Sequence, residues 1–200
     1  MMHVIFLVFL SLNLGAFELK VGDVLLQPLS CWSCSLIEAQ EKSIYSHMGV
    51  VIENEPEVLV AEALGEVKVV SLKEFQSKTE KGELLSVRRL RRSDAVTFLQ
   101  EHGGEFSDHF REYFLGLKYD HDFLWNNVDE NGLEKMYCSE MVSKLYLGFL
   151  NIEIPLKTMK FDVNREQWIK YFKSLPPDGK RGNSPATFEH SELFFEVGKL

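Results

Sequence analysis

Apolar and polar residues alternate along the chain in short runs that predict both strands and helices. Runs of strand-like composition bounded by turn residues predict strands at 21–26, 46–52, 58–63, 67–70 and 84–90. Apolar residues at helical spacing predict helices at 36–42, 72–77, 94–102, 106–115, 141–150 and 164–174. Ser71 and Ser93 stand where they can cap the helices that follow them. An irregular C-terminal arm is predicted from Pro176 onward.

This order of elements predicts an α+β fold, a small antiparallel sheet or open barrel with a helix packed against it. The chain has 200 residues, of which 45% are hydrophobic and 26% charged, which fits one domain with a good core. The formal net charge of -8 argues against a nucleic-acid partner. The basic run at 88–92 is interpreted as a solvated face, and the alternative is a transient contact with an anionic membrane surface.

Residues 1–16 have the composition of a secretory signal peptide. Residues 4–10 form an unbroken apolar run, and Gly15 and Ala16 are small enough for a cleavage site. The run is too short to span a bilayer comfortably. We therefore predict export to the periplasm or the extracellular space, with a mature domain of residues 17–200. An uncleaved N-terminal helix is the alternative.

Cys138 is the first candidate for a catalytic residue. A helix that continues through the apolar run 141–150 would hold Cys138 in its first turn, on the face that packs inward. The unpaired N–H groups and the positive end of the helix dipole favour a thiolate at this position. A buried Cys that serves only as a small hydrophobic residue is the structural alternative.

A catalytic Cys needs an imidazole base, and usually a polar group that orients the base. Of the six histidines, only His47 opens a strand-like run. A hairpin folded symmetrically about Asn54 and Glu55 brings Glu62 opposite His47, where the two side chains could form a hydrogen bond. Glu62 also follows four apolar residues, where an unpaired carboxylate would be costly. Together the three residues predict a Cys–His–Glu site.

Several segments, taken in order, resemble the permuted papain-like hydrolases, which are circularly permuted relatives of the NlpC/P60 cysteine peptidases, and the YiiX/YaeF-like group in particular. The similar segments are Val21-Gly22-Asp23-Val24-Leu25-Leu26, Ser46-His47-Met48-Gly49-Val50-Val51, Glu62-Ala63, Tyr119-Asp120-His121-Asp122-Phe123, Tyr137-Cys138-Ser139-Glu140 and Ser184-Pro185. The resemblance runs from about Gly22 to the C-terminus. It implies the permuted papain-like fold, with the base preceding the nucleophile in the chain.

The resemblance also implies roles for single residues: Cys138 as nucleophile, His47 as base and Glu62 as the residue that orients the base. Tyr137 precedes the nucleophile, where it either borders the cleft or packs in the core. Asp120 matches the family's motif, and it either fixes its loop or contacts the substrate.

Cys31 and Cys34 replace the serine-rich loop that follows the opening strand in this family. In an oxidising compartment we predict a disulfide between them, which leaves Cys138 as the free thiol. A thiol–disulfide protein that uses this pair is an alternative. A zinc site would need two more ligands, and no pair of histidines has metal-ligand spacing.

We therefore predict a secreted cysteine hydrolase that cleaves a peptide, amide or ester bond through a thioester intermediate, without a cofactor or metal. The substrate would be a small molecule, a peptide or a lipid that carries an acyl group. Acyl transfer to an acceptor other than water and a non-catalytic domain that binds lipid or peptide are the alternatives. The sequence does not predict the oligomeric state.

Overall fold

The computed structural model describes residues 17–200, so the predicted signal peptide lies outside the described residues. The strands are β1 (Val24–Gln27), β2 (His47–Glu53), β3 (Leu59–Leu64), β4 (Glu66–Ser71), β5 (Ser86–Leu90), β6 (Lys157–Thr158), β7 (Arg181–Gly182) and β8 (Phe194–Lys199). The helices are α1 (Trp32–Glu41), α2 (Leu72–Ser77), α3 (Ser93–Glu101), α4 (Gly103–Tyr113), α5 (Cys138–Leu150), α6 (Arg165–Phe172) and α7 (Pro185–Glu189).

Six of the strands form one antiparallel sheet in the order β4-β3-β2-β1-β5-β8, and β6 and β7 pair separately. The predicted α+β class with an antiparallel sheet is confirmed. Alternate residues of β1 face opposite sides, because successive side chains of a strand point to opposite faces. Val24 and Leu26 belong to the core beneath α3, α4 and α5, whereas Leu25 packs with Phe75 of α2 on the other face.

The C-terminal arm is more regular than predicted. Ser184 begins α7 with a capping box, and β8 adds an edge strand to β5. The prediction of an irregular arm was wrong because β8 is stabilised by a partner more than 100 residues earlier in the chain, which local composition does not reveal.

Two helix starts also differ from the prediction. Helix α1 begins at Trp32, where Cys31 is the N-cap and its Sγ accepts the N–H of Cys34. Ser71 caps α2 as predicted, but Ser93 is the first residue of α3 and makes no capping hydrogen bond.

The basic run at 88–92 is largely neutralised by ion pairs. Arg89 lies 2.6 Å from Asp23, Arg92 lies 2.6 Å from Asp94, and Arg88 contacts Glu196 at 3.3 Å. These pairs tie β5 to its surroundings, and contact with a membrane through this run stays a prediction. Between residues 17 and 200, no helix is long and apolar enough to cross a bilayer.

Candidate active site

Helix α5 places Cys138 at its first position. Met141, Val142 and Leu145 are fully buried and hold the helix against the sheet, so the N-terminus of α5 points at the start of β2. The backbone at Tyr137 is extended, and no side chain caps the helix. The N–H groups of the first turn therefore lack helical partners, as helix geometry requires. Cys138 is a free thiol with 6% of its surface exposed, in the position that the sequence predicts.

His47, the first residue of β2, lies between Cys138 and Glu62. Its Nε2 atom is 2.8 Å from Oε2 of Glu62. The Cys138 side chain is the other group whose proximity raises the pKa of the imidazole. Because Nε2 is engaged by Glu62, the nitrogen that remains for Cys138 is Nδ1. The structure thus brings together the three residues that the sequence singles out.

The hairpin register differs from the predicted one by two residues. Glu62 pairs with Gly49, not with His47, and a bulge separates Val51 from Glu53. Residues two apart on a strand share a face, so Glu62 still reaches His47 along the diagonal. Gly49 leaves room for this arrangement, since a Cβ there would lie 3.0 Å from the Phe75 ring, which itself packs on His47.

The charge state of His47 follows from its two partners. Burial opposes a charged imidazole, but the interactions of the ring with the side chains of Cys138 and Glu62 outweigh burial and raise the pKa of His47 to about 9. At neutral pH the ring is therefore an imidazolium. This cation is 3% exposed and is held between a carboxylate and a sulfur atom.

Glu62 is fully buried and is kept ionised by cations on both of its oxygens. Burial alone would raise its pKa, but His47 and Lys78 lower it below the usual value. The Lys78 ammonium donates a 2.8 Å hydrogen bond to Oε1, while His47 takes Oε2. Lys68 lies 3.9 Å from the same Oε1 atom. The two lysines are site residues that the sequence analysis missed, because nothing in their spacing links them to Glu62.

A cleft with a volume of about 40 Å³ opens beside Cys138. Helix α1, the 119–123 loop, α6 and the 183–185 segment form its walls. Eight of the sixteen lining side chains are apolar or aromatic: Ile37, Tyr119, Phe123, Tyr137, Met159, Phe161, Trp168 and Pro185. Cys138 therefore lines a cleft with a substantial apolar wall.

Three residues of this cleft have buried polar atoms without a partner in residues 17–200: Ser139 Oγ, Trp168 Nε1 and Asn183 Oδ1. The orientation of the Asn183 amide is fixed by Ser143. The Ser143 hydroxyl donates its single hydrogen to the Ser139 carbonyl, so it must accept from Asn183 Nδ2 at 2.6 Å. Both Asn183 Oδ1 and Trp168 Nε1 are buried without a partner among residues 17–200.

Tyr137 and Asp120 both have structural contacts. Tyr137 lines the cleft, but its ring packs edge-on against Phe123 and its hydroxyl accepts the N–H of Asn183. Asp120 does not line the cleft. Its carboxylate accepts the N–H groups of Asp122 and Leu124, which fixes the loop that ends in this wall. The loop-fixing alternative for Asp120 is the one that these contacts favour.

Glu140, the last residue of the Tyr-Cys-Ser-Glu segment, is buried in the first turn of α5, two residues after Cys138. Burial raises its pKa to about 7, although the Lys144 ammonium at 2.8 Å and the N–H of Asn126 oppose this shift. The Asn126 contact ties the first turn of α5 to the preceding loop. Glu140 therefore holds the start of α5 against this loop.

Cys31 and Cys34 are joined by a disulfide at the start of α1, with their Cα atoms 5.0 Å apart. Cys31 is exposed, and α1 supplies Ile37, Gln40 and Glu41 to the cleft. The pair therefore shapes one wall of the cleft without entering it.

The mature protein is expected to retain this disulfide. Intact mass measured after alkylation in denaturant without reductant should show one adduct, and peptide mapping should locate it on Cys138. Prior reduction should give three adducts, which serves as the control. Three adducts without reduction would contradict the prediction.

The described chain, 17–200, contains no group of three or more His, Cys, Asp or Glu side chains placed to hold a metal ion.

Comparison with known proteins gives a family match over most of the chain. Residues 18–193 match the family described as "Permuted papain-like amidase enzyme, YaeF/YiiX, C92 family". The uncharacterized protein YiiX of Escherichia coli K12 is 27% identical over 185 residues, which cover 89% of this chain and 86% of that protein.

A solved structure shows the same fold. The crystal structure of YiiX from Escherichia coli O157:H7, which its title calls a metalloprotein, superposes with a TM-score of 0.76 at 23% identity. The match covers 92% of this chain and 99% of that one. The permuted papain-like fold expected from the sequence motifs is confirmed.

Proposed function

The chain belongs to the permuted papain-like amidase family, YaeF/YiiX, and on this basis we propose that it hydrolyses amides of apolar acyl groups through a thioester on Cys138. The observation that supports the proposal most directly is the position of His47. Its imidazole forms a hydrogen bond with Glu62 and lies close enough to Cys138 for that side chain to raise its pKa, at the head of a helix that borders a cleft.

In the first half of the proposed reaction, the Cys138 sulfur attacks the acyl carbon. A carbon–sulfur bond forms, and the carbonyl oxygen takes the electron pair as an oxyanion. The unpaired backbone N–H of Cys138 stands where it can donate to this oxygen. The His47 imidazolium then protonates the leaving nitrogen, the carbon–nitrogen bond breaks, and the thioester remains.

In the second half, water attacks the thioester. Neutral His47 takes a proton from this water, and collapse of the second oxyanion breaks the carbon–sulfur bond and releases the acid. Cys138 leaves as a thiolate beside the imidazolium, which restores the starting charges. Glu62 remains ionised throughout and stabilises the imidazolium from the far side.

The lining of the cleft supports a substrate with an apolar acyl group. A chamber walled by Phe123, Phe161 and Trp168 favours a hydrocarbon portion, because apolar surface gains free energy when it leaves water. The choice of an amide is supported by the family, which is described as amidase enzymes.

Trapping the thioester tests the proposal. Wild-type protein mixed with N-acyl anilides of short and long acyl chains, then quenched in acid, should gain the mass of the acyl group on the Cys138 peptide. Longer acyl chains should react faster than short ones, and the matching phenyl esters serve as a more reactive comparison. Cys138→Ala should gain no such mass.

Product release without any adduct on Cys138, or an equal adduct on the Cys138→Ala variant, would contradict the thioester mechanism. The products of the same reaction separate hydrolysis from acyl transfer. The free acid indicates water as acceptor, and a new amide or ester made with an added amine or alcohol indicates transfer. Export to the periplasm or beyond stays a prediction.

A further inference from the structure

Helix α2 and the residue that ends it form a support behind the proposed catalytic residues, on the opposite side of the sheet from the nucleophile helix. The Phe75 ring packs against the His47 imidazole, with 5.6 Å between the ring centroids. The next turn ends at Lys78, the C-cap of α2. This short helix therefore contacts His47 through an aromatic ring and Glu62 through an ammonium group.

The end of α2 is anchored to the sheet by Gln27. This fully buried residue lies directly opposite His47 on β1. Its Nε2 atom donates to the Phe75 carbonyl in the last turn of α2 at 2.6 Å. It also donates to Oγ1 of Thr79, the residue after the C-cap, at 3.0 Å. Lys78 lies between these two anchored residues, so its backbone position is fixed relative to His47.

Side chains from three other elements approach the Glu62 carboxylate. His47 approaches from β2, Lys68 from β4 and Lys78 from the end of α2, while Glu74 of α2 lies 3.4 Å from the Lys78 ammonium. Beyond His47, Cys138 of α5 supplies the remaining titratable group. The Lys78 side chain is only 25% exposed, and its 2.8 Å contact occupies the oxygen of Glu62 that His47 leaves free.

We propose that Lys78 is a positioning residue for the catalytic site, which holds Glu62 ionised and aimed at His47 so that the imidazolium–thiolate pair forms. This inference rests on the proposed roles of Cys138, His47 and Glu62. A fully buried carboxylate tends to take up a proton unless a nearby cation offsets the cost of its burial. An imidazolium alone cannot do this throughout the reaction, because His47 gives up its proton after the attack. Lys78 keeps its charge at that stage.

The pH dependence of Cys138 alkylation by iodoacetamide tests this role without any knowledge of the substrate. In wild-type protein the alkylation rate should rise with pH from a low value in acid and then reach a plateau. The rising part of this profile is called the acid limb below. Lys78→Met should move that limb up by about one pH unit, since an opposite charge within about 4–6 Å shifts a carboxyl group by one unit or more. Glu62 then takes up its proton at a higher pH, and His47 loses its negative partner.

Two variants serve as controls. Lys78→Arg keeps a cation at the site and should return the acid limb towards the wild-type position. Lys73→Met removes an exposed lysine from the same helix and should leave the profile unchanged. Circular dichroism at each pH would show that the proteins remain folded. A merely structural role for Lys78 would lower the rate equally at all pH values without moving the limb.

The result separates the two proposals. A reactive Cys138 in the wild type, with an acid limb that Lys78→Met leaves in place, would overturn the role of Lys78 alone. Alkylation of wild-type Cys138 at the rate and pH dependence of a free model thiol would overturn the proposed catalytic site itself.

Discussion

Cys138→Ala is expected to lower kcat for amide hydrolysis by at least about 10⁴-fold, because removal of a catalytic nucleophile eliminates the covalent route. The fold should survive, since the change removes only one sulfur atom at the first position of a helix that Met141, Val142 and Leu145 hold against the sheet. Turnover of a long-chain N-acyl anilide and thermal unfolding of both proteins are the measurements.

Cys138→Ser is the matched variant for this experiment. It keeps the size of the side chain but replaces the sulfur by a hydroxyl, which is a far weaker nucleophile at neutral pH. Its activity should fall almost as far as that of the alanine variant, while binding of the substrate stays intact. Turnover within tenfold of wild type for either variant would exclude Cys138 as the nucleophile. Intact binding with no turnover in the wild type would favour the non-catalytic alternative.

His47→Ala is expected to lower kcat by about 10³-fold or more, because no other titratable group of the site contacts both Cys138 and Glu62 in the described structure. Glu62→Gln should reduce turnover less. A glutamine oxygen can still accept a hydrogen bond from His47, but the amide cannot stabilise the imidazolium charge. Wild-type turnover by His47→Ala would show that the base has been misassigned.

The pH dependence of the wild type follows from the same histidine. Its pKa is raised from 6.5 to about 9, so the imidazolium that protonates the leaving nitrogen is present through neutral pH and is lost as the pH rises through about 9. Turnover should fall over the same range. The contribution of His47 to the free energy of unfolding should be complete below pH 6.5 and disappear towards pH 9, which His47→Ala should abolish. Chemical denaturation at several pH values measures this difference.

The sequence by itself determined the identity of the three central residues and their order along the chain. Cys138 was evident because an apolar run at helical spacing begins three residues after it. Glu62 was evident because a carboxylate stands inside a strand whose neighbours are all apolar. These signals are local, so they do not depend on how the rest of the chain packs. The ordered family motifs then predicted the fold, which is confirmed.

Tertiary structure alone decided how these residues meet. The predicted hairpin register was two residues out, because the turn is centred on Pro56, where Glu53 pairs with Leu59, and not between Asn54 and Glu55. Turn composition does not fix that centre, and the bulge between Val51 and Glu53 then shifts the pairing by one residue. The edge strand β8 was missed because its partner β5 is distant in the chain. Residue contacts across such distances depend on how whole elements pack, and no local pattern of hydrophobic and polar positions contains that information.

Lys78 and Asn183 are two residues of the site whose importance a local sequence pattern does not reveal. Lys78 ends a short helix after Phe75, and on sequence grounds it is an ordinary surface lysine. Asn183 stands in a stretch with no regular pattern. Their relevance arises because the packing of α2 beneath the sheet brings an ammonium to 2.8 Å from Glu62, and because Ser143 on α5 fixes the amide of Asn183 in the wall of the cleft. The sequence thus names the groups proposed to carry out the chemistry, whereas the tertiary structure places the groups proposed to hold them ionised and oriented.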